Sequence, residues 1–200
     1  MTALFLVRHA KPAANWGESV DSGLDEQGVF QADRTAALLG ARLPPHPVYT
    51  SPLKRCVETA APLARRWESP AVLLPEVAEI PAPTLPMAAR KLWLSQSMAG
   101  TWRSLQEGAP PGSPDYLAWR DTLLQRLRAM RQDCVIYSHY IAINVVAGAA
   151  TGSDRVITFR PAHASVTTID IVNGEFRLRE LGEQGDGGIL LGADGSSSTA

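Results

Sequence analysis

Hydrophobic residues in this chain fall in short unbroken blocks separated by longer amphipathic stretches. Leu4-Phe5-Leu6-Val7 is continuous rather than alternating, the pattern of a strand buried on both faces. Val48-Tyr49-Thr50, Ala71 to Leu74, Cys134 to Tyr137 and Ser165 to Val172 have the same strand character. Phe176 to Leu181 follows through Asn173-Gly174, a two-residue hairpin signal.

The stretches between these blocks read as helices. From Asp25 to Leu43, Ala32, Ala36, Leu39 and Leu43 recur at helical spacing. Ser51-Pro52 predicts an N-cap and first helical position for a helix through Val57 and Ala60, which Pro62 should kink or loosen. Ser113-Pro114-Asp115 repeats that start signal before Tyr116, Trp119, Leu123, Leu127 and Met130. Ile141 to Ala150 predicts a mostly buried helix ended by Gly152.

Strands alternating with helices imply a three-layer α/β/α architecture with a mostly parallel, doubly wound sheet. The segment 80–114 breaks the rhythm, with Pro81, Pro83 and Pro86 at its start and Gly108-Ala109-Pro110-Pro111-Gly112 near its end. It is expected to be a small helical cap inserted over the sheet edge, with Trp93, Trp102 and Trp119 making the contacts between cap and sheet. The expected organisation is one domain over 1–181 and a Gly/Ser-rich tail over 182–200 whose end is disordered.

Composition narrows the classes. The chain has 200 residues, 45% of them hydrophobic and 20% charged, enough for a sizeable core. A net charge of -1 provides no bulk field for nucleic acid or anionic membranes, so neither is expected as a partner. The apolar block Ala3 to Val7 is too short for a signal peptide, and no run approaches the roughly 18 residues of a membrane span. Cys56 and Cys134 make neither a disulfide framework nor a zinc motif. A soluble, cytoplasmic protein is expected.

Three junctions carry candidate chemistry. Arg8-His9 follows the first strand, Arg55 lies in the first turns of the helix after the second, and Ser138-His139 ends the Cys134 strand and opens another helix. A parallel sheet gathers such junctions at its carboxyl edge, where ligands bind. Guanidinium groups, imidazoles and a helix N-terminus at one place suit an oxyanion of phosphate type.

With these residues in place the chain resembles the histidine phosphatase superfamily, the phosphoglycerate-mutase-like proteins. Val7-Arg8-His9-Ala10 resembles the family's Arg-His-Gly or Arg-His-Ala signature. Leu24 to Ala32 resembles its leucine, glycine and Gln-Ala stretch. Thr50 to Ala60 resembles Ser-Pro-Leu-x-Arg-Ala-x-x-Thr-Ala, with Cys56 in the alanine place, and Ser138-His139 matches the second histidine motif. The resemblance implies that His9 is the nucleophile of a phosphohistidine intermediate, and that Arg8, Arg55 and His139 bind phosphoryl oxygens, without metal or cofactor. Val77-Ala78-Glu79-Ile80 resembles the segment holding the acid that protonates the leaving group; Glu79 is the candidate and Glu76, expected to be solvated, the runner-up.

The departures point to the substrate side of the site. Tyr140 stands where a glycine is usual, Lys11-Pro12 where Glu-Ser or Glu-Thr is common, and His163 where many relatives have asparagine. Lys11, Trp16 and Tyr140 are candidates for lining the substrate pocket, with core packing the alternative for Trp16 and packing against the cap for Tyr140. His163 is expected to be structural, and Cys56 buried and inert. The implied activity is a phosphomonoesterase for a small phosphorylated metabolite. A mutase-type phosphotransferase, a protein phosphohistidine phosphatase and a silent phospholigand-binding protein are the alternatives. The oligomeric state is left open, a homodimer being one option.

Overall fold

The computed structural model describes residues 1–14 and 21–185, apart from the side chains of Met87, Ala88 and Lys91. Its strands are β1 (Thr2–Arg8), β2 (Val48–Thr50), β3 (Val72–Leu73), β4 (Cys134–Ser138), β5 (Val166–Val172) and β6 (Glu175–Glu180). Its helices are α1 (Glu26–Arg42), α2 (Lys54–Arg66), α3 (Met87–Met98), α4 (Trp102–Glu107), α5 (Tyr116–Arg128) and α6 (Tyr140–Thr151).

The strands form one sheet in the order β3-β2-β4-β1-β5-β6. The first four run parallel; β5 and β6 are added antiparallel through the Asn173-Gly174 hairpin. Both turn residues have positive φ (54° and 84°), as the twist of a two-residue hairpin requires.

The unbroken apolar block of β1 is explained by burial on both sides. Leu4 and Leu6, with Cys134 and Ile136 of β4, pack against Leu123 and Leu127 of α5 and Ile141 and Val145 of α6. Val7, Val135 and Tyr137 face the other way, against Ala36 and Leu39 of α1 and Cys56, Ala60 and Leu63 of α2. The helix α6 lies almost wholly inside and ends at Gly152, whose φ of 69° is the left-handed cap that glycine adopts without strain.

Two helix starts differ from expectation. The N-cap of α2 is Leu53, without a side-chain cap, not Ser51. Ser51 still belongs to the sheet edge, donating its N–H to the Tyr137 carbonyl at 2.9 Å. The helix then runs through Pro62 to Arg66. In α5 the cap is Asp115, which accepts from the Ala118 N–H at 2.8 Å, so Ser113-Pro114 lies outside the helix.

The segment 80–114 holds α3 and α4. The buried rings of Trp93 and Trp102 pair with Tyr116 (centroids 5.4 Å apart) and Trp119 (5.9 Å). Their aromatic partners therefore lie on and beside the apolar face of α5 rather than on strands.

Candidate active site

The register of three neighbouring parallel strands sets the geometry of the carboxyl edge. Arg8 is paired with Ser138, and Val7 and Thr50 are both level with Tyr137. His9 and His139 therefore leave the sheet at the same height, and Ser51, level with Ser138, leaves it one residue before them. The crossing is fastened by hydrogen bonds from the His9 N–H to the Ser138 carbonyl (2.9 Å) and from the Ala10 N–H to Thr59 Oγ1 (3.0 Å). In the first turn of α1, a Cβ on Gly28 would collide with the Lys11 carbonyl oxygen, so this glycine lets the helix close on the His9–Lys11 loop.

His9 and His139 are buried with ring centroids 5.2 Å apart. His9 Nδ1 lies 2.8 Å from the Ala10 carbonyl, which can only accept, so Nδ1 carries the proton and Nε2 a lone pair. Burial pushes the His9 pKa well below its usual value, and His139, Arg8 and Arg55 push it further. The neutral imidazole needed for nucleophilic attack is thus the resting form.

His139 is fixed by two groups of the Ser51–Cys56 stretch. Its Nε2 lies 2.8 Å from Ser51 Oγ and 3.3 Å from Cys56 Sγ. The Leu53 N–H donates to the Ser51 oxygen (3.3 Å), and the Cys56 thiol donates to the Ser138 carbonyl (3.4 Å). Ser51 Oγ and Cys56 Sγ thus hold the Nε2 side of the imidazole. Burial, then Arg55 and Arg8, keeps His139 neutral by lowering its pKa. Burial raises the Cys56 pKa far above its ordinary value, so this cysteine stays a thiol.

Two guanidinium groups face these rings in different settings. Arg8 is 3% exposed; it donates to the Pro161 carbonyl (2.8 Å) and to His163 Nε2 (2.9 Å), and its Cζ lies 4.9 Å from the centre of the Tyr140 ring. Burial lowers its pKa to about 10, which leaves it cationic at neutral pH. Arg55 is half-buried, and its guanidinium makes no hydrogen bond or ion pair among the described residues. Its charge is felt at His9, His139 and Glu79, which places it on the same pocket.

Glu79 enters from the 3-10 turn Pro75–Val77. Its Oε1 accepts from the N–H groups of Ile80 (3.0 Å), Ile141 (3.1 Å) and Ala142 (3.3 Å), the last two in the first turn of α6. Ser138 Oγ donates to the Val77 carbonyl at 2.8 Å and ties this segment to β4. Burial raises the Glu79 pKa, against the lowering effect of those N–H groups and of Arg55. Glu76 stays partly solvated, its side chain 32% exposed, and its Oε1 lies 3.9 Å from Arg126 Nε of α5.

The structure thus gathers Arg8, His9, Arg55, Glu79, His139 and Tyr140. Lys11 is tied to Asp25 (2.9 Å) and to Gln27 (3.0 Å), and Trp16 lies outside the described residues. Sequence reasoning missed Ser51, read as a helix cap, and Thr59, which also donates to the Arg55 carbonyl. It placed His163 in a structural role, yet the ring lies 5.6 Å from that of His9. The departure from asparagine was the available signal. Among the described residues no group of three or more His, Cys, Asp or Glu is placed to hold a metal ion, and no helix is long and apolar enough to cross a membrane.

Comparison with known proteins gives the family and the fold. The family model of the histidine phosphatase superfamily (branch 1) matches residues 4–184. A phosphoserine phosphatase from Entamoeba histolytica, solved with 3-phosphoglyceric acid, has the same fold (TM-score 0.72, 20% identity), covering 92% of this chain and 98% of that one. A mutant of that phosphatase with phosphoserine superposes with a TM-score of 0.71 at 20% identity, covering 90% and 96%. A mycobacterial glucosyl-3-phosphoglycerate phosphatase with inorganic phosphate gives 0.71 at 20% identity, covering 92% and 98%. No curated protein is significantly similar to the chain in sequence.

Proposed function

Because this chain belongs to the histidine phosphatase superfamily, we propose that it hydrolyses the phosphomonoester of a small metabolite through a phosphohistidine on His9. The observation that carries the reading is the His9 ring itself: proton fixed on Nδ1 by the Ala10 carbonyl, lone pair on Nε2, and the charges of Arg8 and Arg55 acting on it. In the first step the Nε2 lone pair forms an N–P bond as the ester P–O bond breaks. The departing oxygen takes the proton of Glu79. In the second step water attacks phosphorus, the N–P bond breaks and releases the His9 lone pair, and the Glu79 carboxylate recovers a proton from the water. Arg8, Arg55 and His139 stabilise the equatorial oxygens, the dominant contribution in phosphoryl transfer.

The segment 80–114 is proposed as the cap over the substrate, with Tyr140 shaping its near wall. The neighbours named above act on or bind phosphoserine, 3-phosphoglyceric acid and glucosyl-3-phosphoglycerate. Small monoesters of that kind are the first substrates to try. No metal ion enters the proposed steps, so a chelator should leave turnover unchanged.

The test is acid-labile phosphoenzyme after rapid mixing with a labelled monoester. The wild-type chain should form it and release inorganic phosphate; His9→Ala should do neither. Phosphoenzyme on the His9→Ala chain would refute the assignment. Isomerised phosphoglycerate with little free phosphate would give the site to a transferase.

A further inference from the structure

The loop between α6 and β5 holds Arg8 through both its side chain and its backbone. Asn144, buried in α6, holds the start of the loop: its Oδ1 accepts from the N–H groups of Thr158 (2.8 Å) and Phe159 (3.1 Å). Farther on, the Ala162 N–H donates to the Glu183 carbonyl (2.8 Å), the Ala164 N–H to the Arg8 carbonyl (3.1 Å), and Thr35 Oγ1 to the Ala164 carbonyl (2.9 Å). Ala164 sits in the left-handed region at φ 58°, a conformation that a non-glycine residue keeps only where its surroundings impose it. The loop is therefore a fixed frame, and it presents His163 Nε2 to Arg8 Nη2 at 2.9 Å.

Chemistry settles the direction of that bond. A guanidinium has donors only, so His163 must offer a lone pair on Nε2 and carry its proton on Nδ1. Burial lowers the His163 pKa to about 3; Arg8 and Lys11 add to this and Asp25 opposes it. A charged His163 would turn two donors toward each other.

We propose that His163 is a positioning residue, whose Nε2 lone pair, together with the Pro161 carbonyl, sets the plane of the Arg8 guanidinium against the Tyr140 ring so that it meets a phosphoryl group. This rests on the reading of the pocket as a phosphate site. It makes His163 more than a packing residue of the loop, because its contribution passes through one acceptor atom.

The test uses the full chain and inorganic phosphate. His163→Leu removes the acceptor; His163→Gln restores one at comparable reach. Losing a hydrogen bond to a charged group lowers kcat/KM about 10- to 100-fold. His163→Leu should show that loss together with weaker phosphate binding by calorimetry, and His163→Gln should stay within about threefold of wild type. Wild-type phosphate affinity in His163→Leu, or a His163→Gln chain as impaired as His163→Leu, overturns the inference. Should His163→Leu not fold, nitrogen-15 NMR of the wild-type chain decides: Nε2 must report as unprotonated from about pH 5 to 8, and a protonated Nε2 there overturns it equally. If the wild-type chain neither binds phosphate nor cleaves any monoester, the function proposed above fails first and this inference falls with it.

Discussion

Replacing Glu79 by Gln separates proton donation from support of the fold, because the structure shows what each oxygen does. Oε1 accepts all three backbone N–H groups, at 3.0 to 3.3 Å, whereas Oε2 has a single 3.3 Å contact, to the Ile141 N–H. A Gln with its carbonyl in the Oε1 position keeps the three bonds and gives up only the weaker one. The structural cost should therefore stay below about 1 kcal/mol, within the range of one neutral hydrogen bond. What disappears is the transferable proton. General acid catalysis contributes about 10²- to 10⁴-fold, most where the leaving oxygen is strongly basic. The rate of phosphoenzyme formation from an alkyl monoester should fall by about that factor, and from p-nitrophenyl phosphate by less than about tenfold. Rapid-quench measurement of the first step is required, since a slow second step would mask the contrast. The pH profile adds an independent reading. Glu79 must be protonated to act and its pKa is raised by burial, so wild-type kcat/KM for the alkyl ester should decline as pH rises through that value. The Gln chain should lack this decline. Equal losses on both substrates, or an unchanged alkaline decline in the Gln chain, would refute the assignment of Glu79 as the acid.

Two further outcomes follow from the same geometry. The Arg55 guanidinium has no hydrogen-bonded or ion-paired partner among the described residues. Arg55→Met should therefore cost about 10²- to 10³-fold in kcat/KM, with Arg55→Lys recovering part of the loss, while stability stays within about 0.5 kcal/mol of wild type; unchanged activity would remove Arg55 from the site. For stability, the depressed pKa values of His9, His139 and His163 mean that the unfolded chain binds protons more readily below about pH 6.5. Their contribution is complete above that pH and declines as pH falls, by about 2 kcal/mol at pH 5 for His163, whose pKa is lowered to about 3, offset in part by Glu79, whose raised pKa has the opposite sign. Urea midpoints at pH 7.5 and 5 check this, and a midpoint that rises on acidification would contradict it.

The legible part of this protein is the part fixed by short-range pattern. Continuous apolar blocks marked β1 and β4 as strands buried on both faces, and Asn173-Gly174 marked the hairpin, because burial and turn geometry act on neighbouring residues. The motifs at Arg8-His9, Arg55 and His139 could be placed on one edge because parallel pairing forces strand ends level. Contacts set by the third dimension were not legible. Ser51-Pro52 looks like a helix start in one dimension, yet the Ser51 N–H is claimed by the Tyr137 carbonyl across the sheet, which moves the start of α2 to Lys54 and leaves the hydroxyl for His139. Glu76 and Glu79 are three residues apart and of the same residue type, and only the approach of α5 and the N-terminus of α6 separates an ion pair from a carboxyl held by backbone N–H groups. His163 follows the same rule. Its importance lies in a partner 155 positions away in the chain, and the acceptor it offers is defined by the donor it meets.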